Sequence, residues 1–152
     1  MLAAVALVQL LAVAAVPAIA QEGRQWIGMG GPEGASLIYG TPESDDIVVA
    51  FACERASQEI VVSFTFEPVG ASDGVQLDME LSSEAGSVVL NASGHRLLLD
   101  DSFVLEATVA PDELREILTE GETLTVMVQD GAEELPLAGA ADEVAALFEA
   151  CG

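Results

Sequence analysis

The sequence predicts a mainly β protein, an antiparallel β-sandwich or barrel that carries two short helices. Three observations indicate this class: stretches of alternating apolar residues, clusters of Gly, Pro and Asp between them, and helical spacing confined to the last third of the chain. Alternation with a period of two is typical of strands that bury one face. The clearest stretch covers residues 46–68, where Ile47, Val49, Phe51 and Cys53 precede a polar turn and Ile60, Val62, Phe64 and Phe66 follow it.

Two shorter strands are predicted before this pair. A glycine-rich stretch around Trp26 is expected to form an edge strand, and residues 36–39 a second strand. The segment 40–45 contains Gly, Pro and Asp, which favour a turn. The turn leads directly into the strand that begins near residue 46.

Four more strands are predicted after residue 68, separated by turns rich in Gly, Asn, Asp and Ser. They cover residues 75–81, 87–90, 96–99 and 103–109. In the first of them, apolar residues alternate with Gln, Asp and Glu, which indicates one buried and one solvated face. Residues 91–94 are predicted to form a hairpin-like turn, so that 87–90 and 96–99 are separate strands.

The period changes at Pro111, where a helix is predicted to begin. Proline is favoured at the first helical position, and acidic residues such as Asp112 and Glu113 are favoured in the first turn. Gly121 is a natural end for this helix. The residues that share its apolar face are Leu114, Ile117 and Leu118.

A strand, an edge strand and a final helix complete the predicted order of elements. Residues 124–128 alternate as a strand, and Pro136 interrupts the extended segment 134–137, which places it at an edge. Residues 140–150 have helical spacing. The apolar stripe of this final helix consists of Val144, Leu147, Phe148 and Cys151.

The chain has two cysteines, Cys53 and Cys151, and we predict that they form a disulfide that joins the C-terminal helix to the sheet. Both lie on faces that are predicted to be buried. Closing so long a loop stabilises the fold by about 4–5 kcal/mol in the chain-entropy treatment. The alternative is a reactive thiol, which needs a basic neighbour, and only Arg55 is close in sequence.

Residues 1–20 carry no charged side chain, and Pro17 precedes a small-x-small site that ends at Ala20. This pattern is typical of a secretory signal peptide, here cleaved after Ala20. The alternative is an uncleaved anchor, because about twenty apolar residues can span a bilayer. With cleavage, residues 21–152 form a single exported β-rich domain, in the periplasm or secreted.

The formal net charge is −22, with four Lys and Arg residues against 26 Asp and Glu residues. Such a surface repels phosphate backbones and anionic lipid heads, so neither nucleic acid nor, after signal cleavage, a membrane is an expected partner. It favours cations and basic protein partners. The alternatives are adaptation to a salty habitat or a simple solvated acidic surface.

Three groups of residues are candidates for binding. Loop carboxylates can hold Ca²⁺, although the spacing here is not that of an EF-hand and the alternative is solvated turns. Large amphipathic aromatic residues can anchor a partner, although they are more often core residues. The possible cation-binding residues are Glu43, Asp45 and Asp46 in one loop and Asp100 and Asp101 in another, and the possible anchors are Trp26 and Tyr39.

No catalytic residue and no metal site is assigned from the sequence. The single histidine, His95, lies in a predicted turn, and catalysis would require a nucleophile and an orienting carboxylate beside it. The chain contains no Gly-x-Ser-x-Gly elbow. With one His and two paired Cys, a zinc site of the usual kind lacks ligands.

The C-terminal plan resembles that of small exported bacterial β-sandwich proteins. It consists of the runs 124–128, 135–139 and 147–151, with a cysteine strand at 51–53 that follows the stretch 39–46. This plan is similar to that of invasion-associated-locus-B-like periplasmic proteins and of type VI secretion accessory-like domains. The resemblance implies a structural or interaction role and carries over no catalytic residue.

Taken together, these features predict a non-catalytic, acidic interaction module in the periplasm or outside the cell. Its protein partner is not identified by the sequence, and the charge favours a basic one. One alternative is an inhibitor of a cationic enzyme such as a lysozyme or protease, because an acidic surface steers a basic target. A small hydrolase with a serine- or carboxylate-based site is a further alternative.

Overall fold

The computed structural model describes residues 23–55 and 57–152, so the predicted signal peptide lies outside the described residues. Within them the protein is mainly antiparallel β-structure with three short helices. The strands are β1 (Gln25–Gly30), β2 (Gly34–Gly40), β3 (Ile47–Glu54), β4 (Ile60–Thr65), β5 (Gln76–Ser83), β6 (Gly86–Arg96), β7 (Phe103–Val109), β8 (Thr123–Val128) and β9 (Gly131–Pro136). The helices are α1 (Pro111–Thr119), α2 (Ala140–Glu143) and α3 (Ala145–Cys151).

The nine strands form one sheet in the order β1-β2-β3-β4-β7-β6-β5-β8-β9, and each neighbouring pair is antiparallel. The sheet curls until its two edge strands approach each other. Across this seam, Trp26 Nε1 of β1 donates a hydrogen bond of 2.7 Å to the carbonyl oxygen of Pro136 in β9. The predicted mainly β class is confirmed, and the architecture corresponds to the barrel-like alternative.

The predicted strand pair at 46–68 is confirmed as β3 and β4. Val49 faces Phe64, and Phe51 faces Val62, across an antiparallel ladder. All four side chains are fully buried in the core. The period-two pattern therefore identified the buried face of these strands correctly, because only one side of the curled sheet is covered.

The predicted turn at 91–94 is wrong, because β6 runs without interruption from Gly86 to Arg96. Its backbone is paired with β5 on one side and with β7 on the other, so the strand continues through Asn91 and Gly94. A side chain at Gly94 would meet Phe103 Cε1 at 2.6 Å, so glycine is needed here for packing rather than for a turn. The predicted strand at 96–99 is also wrong beyond Arg96.

The helix predicted from Pro111 is confirmed as α1, with Leu114, Ile117 and Leu118 buried. The single C-terminal helix is instead two helices, α2 and α3, so the protein has three helices rather than two. The two helices are divided at Val144, where the Leu147 amide bonds to the Val144 carbonyl at 3.1 Å, an i to i+3 contact. None of these helices in the described part of the chain is long and apolar enough to cross a membrane.

All three helices pack against strands of the sheet. Helix α3 packs on β1, β2 and β3, and α1 packs on β5 and β6. The predicted disulfide is confirmed, since Cys53 of β3 and Cys151 of α3 are bonded with their Cα atoms 6.3 Å apart. The last helix is therefore joined covalently to the third strand.

The edge of β1 is protected by α2. The Gly28 amide donates a hydrogen bond of 2.9 Å to Glu143 Oε2, so a backbone group that points away from β2 has a partner. A Cβ atom at Gly28 would collide with the Glu143 carbonyl, so only glycine allows this approach. The β9 edge ends in Pro136, which cannot donate to a further strand.

Antiparallel pairing sends successive connections to opposite ends of the sheet. The three helices and the short connections at 31–33, 57–59 and 84–85 lie at one end, called here the helix end. The other end, called here the loop end, consists of the loops 41–46, 66–75, 97–102 and 129–130. Both acidic loops that the sequence singled out lie at the loop end.

Candidate functional site

Arg96 joins two of the four loops at the loop end. Its backbone amide donates a hydrogen bond of 2.8 Å to Asp73 Oδ1, and its guanidinium bonds to Glu67 Oε1 at 2.6 Å. The guanidinium also donates to the Asp101 carbonyl oxygen at 2.8 Å. One arginine at the end of β6 therefore fixes the loop 66–75 against the loop 97–102.

A second contact attaches the turn 129–130. The Val69 amide donates a hydrogen bond of 2.5 Å to Asp130 Oδ2. Nearby, the rings of Phe64 and Phe66 are stacked with centroids 5.6 Å apart, and Phe66 packs against Gly131. Three of the loops are thus connected to one another and to the core.

Three large apolar side chains protrude from this framework. Leu98 and Leu99 are 102% and 101% exposed, and Val69 is 91% exposed. The hairpin loop that carries the leucines is closed beneath them, because the Leu97 amide bonds to the Ser102 carbonyl and the Asp101 amide to the Leu97 carbonyl. An ordered loop that presents apolar side chains to water is typical of a binding surface.

The charge around these side chains is predominantly negative. Glu67, Asp73, Asp100, Asp101 and Asp130 all belong to the three connected loops. The Arg96 guanidinium lowers the pKa of the Glu67 carboxyl through their hydrogen bond, so Glu67 stays ionised over a wider pH range. The loop end therefore combines exposed apolar side chains with acidic residues in the same loops.

The first predicted cation-binding group, Glu43, Asp45 and Asp46, lies in the loop 41–46. Asp46 is already paired, since its two carboxylate oxygens accept hydrogen bonds of 2.8 and 2.9 Å from Arg24. Thr41 Oγ1 donates a further hydrogen bond of 2.8 Å to the same carboxylate. Asp46 therefore attaches Arg24, which directly precedes β1, to the loop before β3.

The second predicted group, Asp100 and Asp101, lies in the loop 97–102. Asp100 Oδ1 accepts a hydrogen bond of 3.1 Å from the Ser102 amide, and Asp101 Oδ1 lies 3.8 Å from Arg96 Nε. Within residues 23–55 and 57–152, no three His, Cys, Asp or Glu residues are grouped so that they could hold a metal ion. Calcium binding at either loop stays a prediction.

We expect the Arg24–Asp46 pair to make stability depend on acid in a defined range. The hydrogen bonds from Arg24 and then Thr41 lower the pKa of Asp46 from 3.8 to about 2. A lowered folded-state pKa adds stability above the unfolded value, and this contribution is lost as the pH falls through the folded value. Urea unfolding from neutral pH down to pH 2 should therefore show Asp46→Asn less stable than wild type at neutral pH, with the difference vanishing towards about pH 2.

Asp45→Asn is the matched control, because it removes one charge from the same loop without touching the Arg24 pair. A difference between wild type and Asp46→Asn that stayed constant down to the lowest pH would contradict the assignment. Equal acid profiles for both variants would contradict it as well.

The two predicted aromatic anchors are core residues. Trp26 and Tyr39 are 4% and 2% exposed, and their rings pack with centroids 5.0 Å apart. Trp26 also lies 6.3 Å from the Phe51 ring. The prediction of a surface anchor is corrected for both, because β1 and β2 turn Trp26 and Tyr39, which are paired across the two strands, to the buried face of the sheet. The alternative of core residues applies.

His95 lies on the outer face of the sheet in a row of polar side chains. Its Nδ1 atom is 3.9 Å from Glu106 Oε2, and Ser63 Oγ donates a hydrogen bond of 3.2 Å to Glu106 Oε1. The carboxylate stands between the serine and the histidine, whereas a catalytic triad requires the histidine in the middle. This arrangement does not activate Ser63 as a nucleophile.

An open groove of about 710 Å³ crosses the outer face of β5, β6 and β8. It contains Val89 and Met127, which are 61% and 45% exposed, together with the carboxylates of Asp78 and Glu80. A smaller hollow beside Val69 shares lining residues with it, so the groove leads towards the loop end. This feature is called here the outer groove.

Sequence reasoning missed both the protruding leucines and the outer groove. The run of leucines at 97–99 predicts a strand, but two aspartates follow it directly, and this combination is also compatible with an exposed tip. Val89 and Met127 are apolar residues at positions where alternation predicts polar side chains. This departure from the pattern is the signal in the sequence that points to the outer groove. In comparisons with known proteins, no protein-family model, curated protein or solved structure matches the chain.

Proposed function

We propose that this protein is a non-catalytic, acidic interaction module that binds a cationic protein through its loop end. The observation that carries the proposal is the full exposure of Leu98 and Leu99, together with Val69, on loops that Arg96 and Asp130 hold in place. Burying one such side chain at an interface contributes roughly 1.5–3 kcal/mol. A fixed apolar tip that is surrounded by charge has the composition of an interface centre with a polar rim.

The charge of the chain defines the class of partner. With a formal net charge of −22, the protein attracts cationic partners and repels anionic ones. Complementary charge mainly raises the association rate, while desolvated apolar contacts supply most of the affinity. The loop end offers both contributions within one surface.

The site of action that we propose is the periplasm or the exterior of the cell. The disulfide between Cys53 and Cys151 is compatible with an oxidising compartment. The pattern of residues 1–20 supports export through a cleaved signal peptide. A partner for the oxidised protein is therefore sought among envelope or extracellular proteins.

A second candidate function is inhibition of a cationic enzyme such as a lysozyme or protease. The loop 97–102 favours it, because a narrow, closed hairpin tip with two exposed leucines is suited to insertion into a cleft. Inhibition of a panel of lysozymes and basic proteases at low ionic strength, lost in a leucine variant, would favour this candidate. Binding without any inhibition would favour the general interaction module.

The double variant Leu98→Ser/Leu99→Ser should lose most of its affinity for the partner. Replacing two central apolar contacts raises Kd by roughly tenfold to a thousandfold, while stability changes little because both side chains are exposed in the free protein. The measurement is recovery of basic proteins from an envelope extract on immobilised, oxidised residues 21–152, followed by calorimetric titration of the purified partner.

Met29→Ser/Val61→Ser is the matched control, since both residues are partly exposed and lie towards the helix end. We expect this control to bind like wild type. Equal loss of binding in both double variants, or unchanged binding in the leucine variant, would refute the role of the loop end.

A further inference from the structure

The outer groove is a second surface with a defined pattern of charge and apolar contacts. In the sheet, Glu80 of β5 is paired with Val89 of β6 on one side and with Met127 of β8 on the other. Neighbouring strands are about 4.8 Å apart, so a carboxylate lies between two exposed apolar side chains. Asp78 occupies the same face of β5 two residues away, at a distance of about 7 Å along the strand.

Among the described residues, no arginine or lysine side chain lines this groove beside the two carboxylates. Its lining consists of Gln76, Leu77, Asp78, Glu80, Val89, Asn91, Met127, Val128 and Gln129, which include no arginine. The four arginines of the chain are Arg24, Arg55, Arg96 and Arg115, and the structure places their contacts elsewhere. The groove therefore lacks the cationic partner that Asp46 and Glu67 have.

We infer that the outer groove binds an extended, cationic protein segment that carries Lys or Arg at alternate positions. In an extended segment, residues two apart lie on the same side and are separated by about 7 Å, which matches the spacing of Asp78 and Glu80. The aliphatic parts of those long side chains cover Val89 and Met127 while their charged ends reach the carboxylates.

The groove differs from the loop end in what it recognises. The outer groove recognises positive charges at a fixed spacing along an extended chain, whereas the loop end inserts apolar side chains into a partner. The hollow between Val69 and Asp130 connects the two surfaces, so one partner can engage both. This inference concerns a separate set of residues and does not depend on Leu98 or Leu99.

A peptide in which lysine alternates with threonine is a suitable probe, with a block peptide of the same composition as the spacing control. Titration of the isotope-labelled protein should shift amide resonances at residues 76–80, 87–91 and 125–129. The variant Asp78→Asn/Glu80→Gln should raise Kd by roughly threefold to thirtyfold, because two exposed ion pairs are lost.

The variant Glu116→Gln/Glu120→Gln removes the same charge from α1 and from the residue directly after it, where both side chains are exposed, and should leave Kd within about twofold. Leu98→Ser/Leu99→Ser should also leave peptide binding unchanged, which separates this test from that of the loop end. Equal weakening by both carboxylate variants, equal affinity for the block peptide, or resonance shifts confined to other regions would each overturn the inference.

Discussion

Replacing both cysteines with alanine is expected to lower the free energy of unfolding by about 4–5 kcal/mol. Cys53 and Cys151 are separated by 98 residues in sequence, so the bridge removes much conformational freedom from the unfolded chain. The melting temperature should fall on the order of 15 °C for a domain of this size. Urea unfolding of the oxidised wild type and of Cys53→Ala/Cys151→Ala, followed by circular dichroism, measures the difference.

Reduction supplies the control for this experiment. Dithiothreitol should destabilise the wild type to nearly the level of the double variant and should leave the double variant unchanged. A loss below about 1 kcal/mol, or an equal effect of reductant on both proteins, would show that the bridge does not hold α3 on β3 in solution.

The substitution Trp26→Ala should destabilise the protein by about 3–5 kcal/mol, because it removes a large buried side chain. Trp26 packs against Tyr39 and Phe51 and is the residue that bonds β1 to β9 through the Pro136 carbonyl. The loss therefore affects both the core and the seam of the curled sheet. Chemical unfolding followed by circular dichroism is the appropriate measurement, since the chain has a single Trp.

Trp26→Phe distinguishes the two contributions. It retains most of the buried apolar surface but removes the indole N–H that Pro136 accepts, so it should cost about 1 kcal/mol for the hydrogen bond and a smaller packing term. If Trp26→Ala cost as little as Trp26→Phe, the ring would not be buried as the structure places it. A wild-type fluorescence spectrum typical of a water-exposed indole would contradict the burial independently.

The parts of the fold that depend on local pattern could be predicted from the sequence. Val49, Phe51, Val62 and Phe64 belong to strictly alternating runs, a pattern that predicts burial of one sheet face. The disulfide was predictable because Cys53 and Cys151 are the two cysteines of the chain and both occupy apolar-face positions. In these cases, local preference and tertiary burial agree.

The parts that depend on distant pairing could not be predicted. The strand order places β7 beside β4 and β8 beside β5, and nothing local to those segments specifies these neighbours. The continuity of β6 through Asn91 and Gly94 arises because two strands flank it, which overrides the turn preference of that tetrapeptide. The division of the C-terminal helix into α2 and α3 at Val144 could not be predicted either, because the buried apolar stripe continues across it.

The candidate site was predictable in its charge but not in its geometry. The sequence identified acidic loops, and the sheet topology places both of them at one end. The sequence pattern predicts a strand at Leu98 and Leu99, because an apolar run has the same composition whether it is buried or exposed. For Trp26 and Tyr39 the sequence leaves two roles open, surface anchor or core residue, and the packing of β1 and β2 makes both of them core residues.

The decisive measurement for the role of the loop end is site-specific photo-crosslinking in an envelope extract. A photoreactive residue replaces Leu98 in one sample and Glu116, on the exposed face of α1, in the other. We predict that the probe at Leu98 captures a protein of net positive charge, that moderate NaCl suppresses this capture, and that the probe at Glu116 does not capture it. Equal capture from both positions, or capture of acidic proteins at Leu98, would show that the exposed leucines and their acidic surroundings are not a binding surface for a cationic partner.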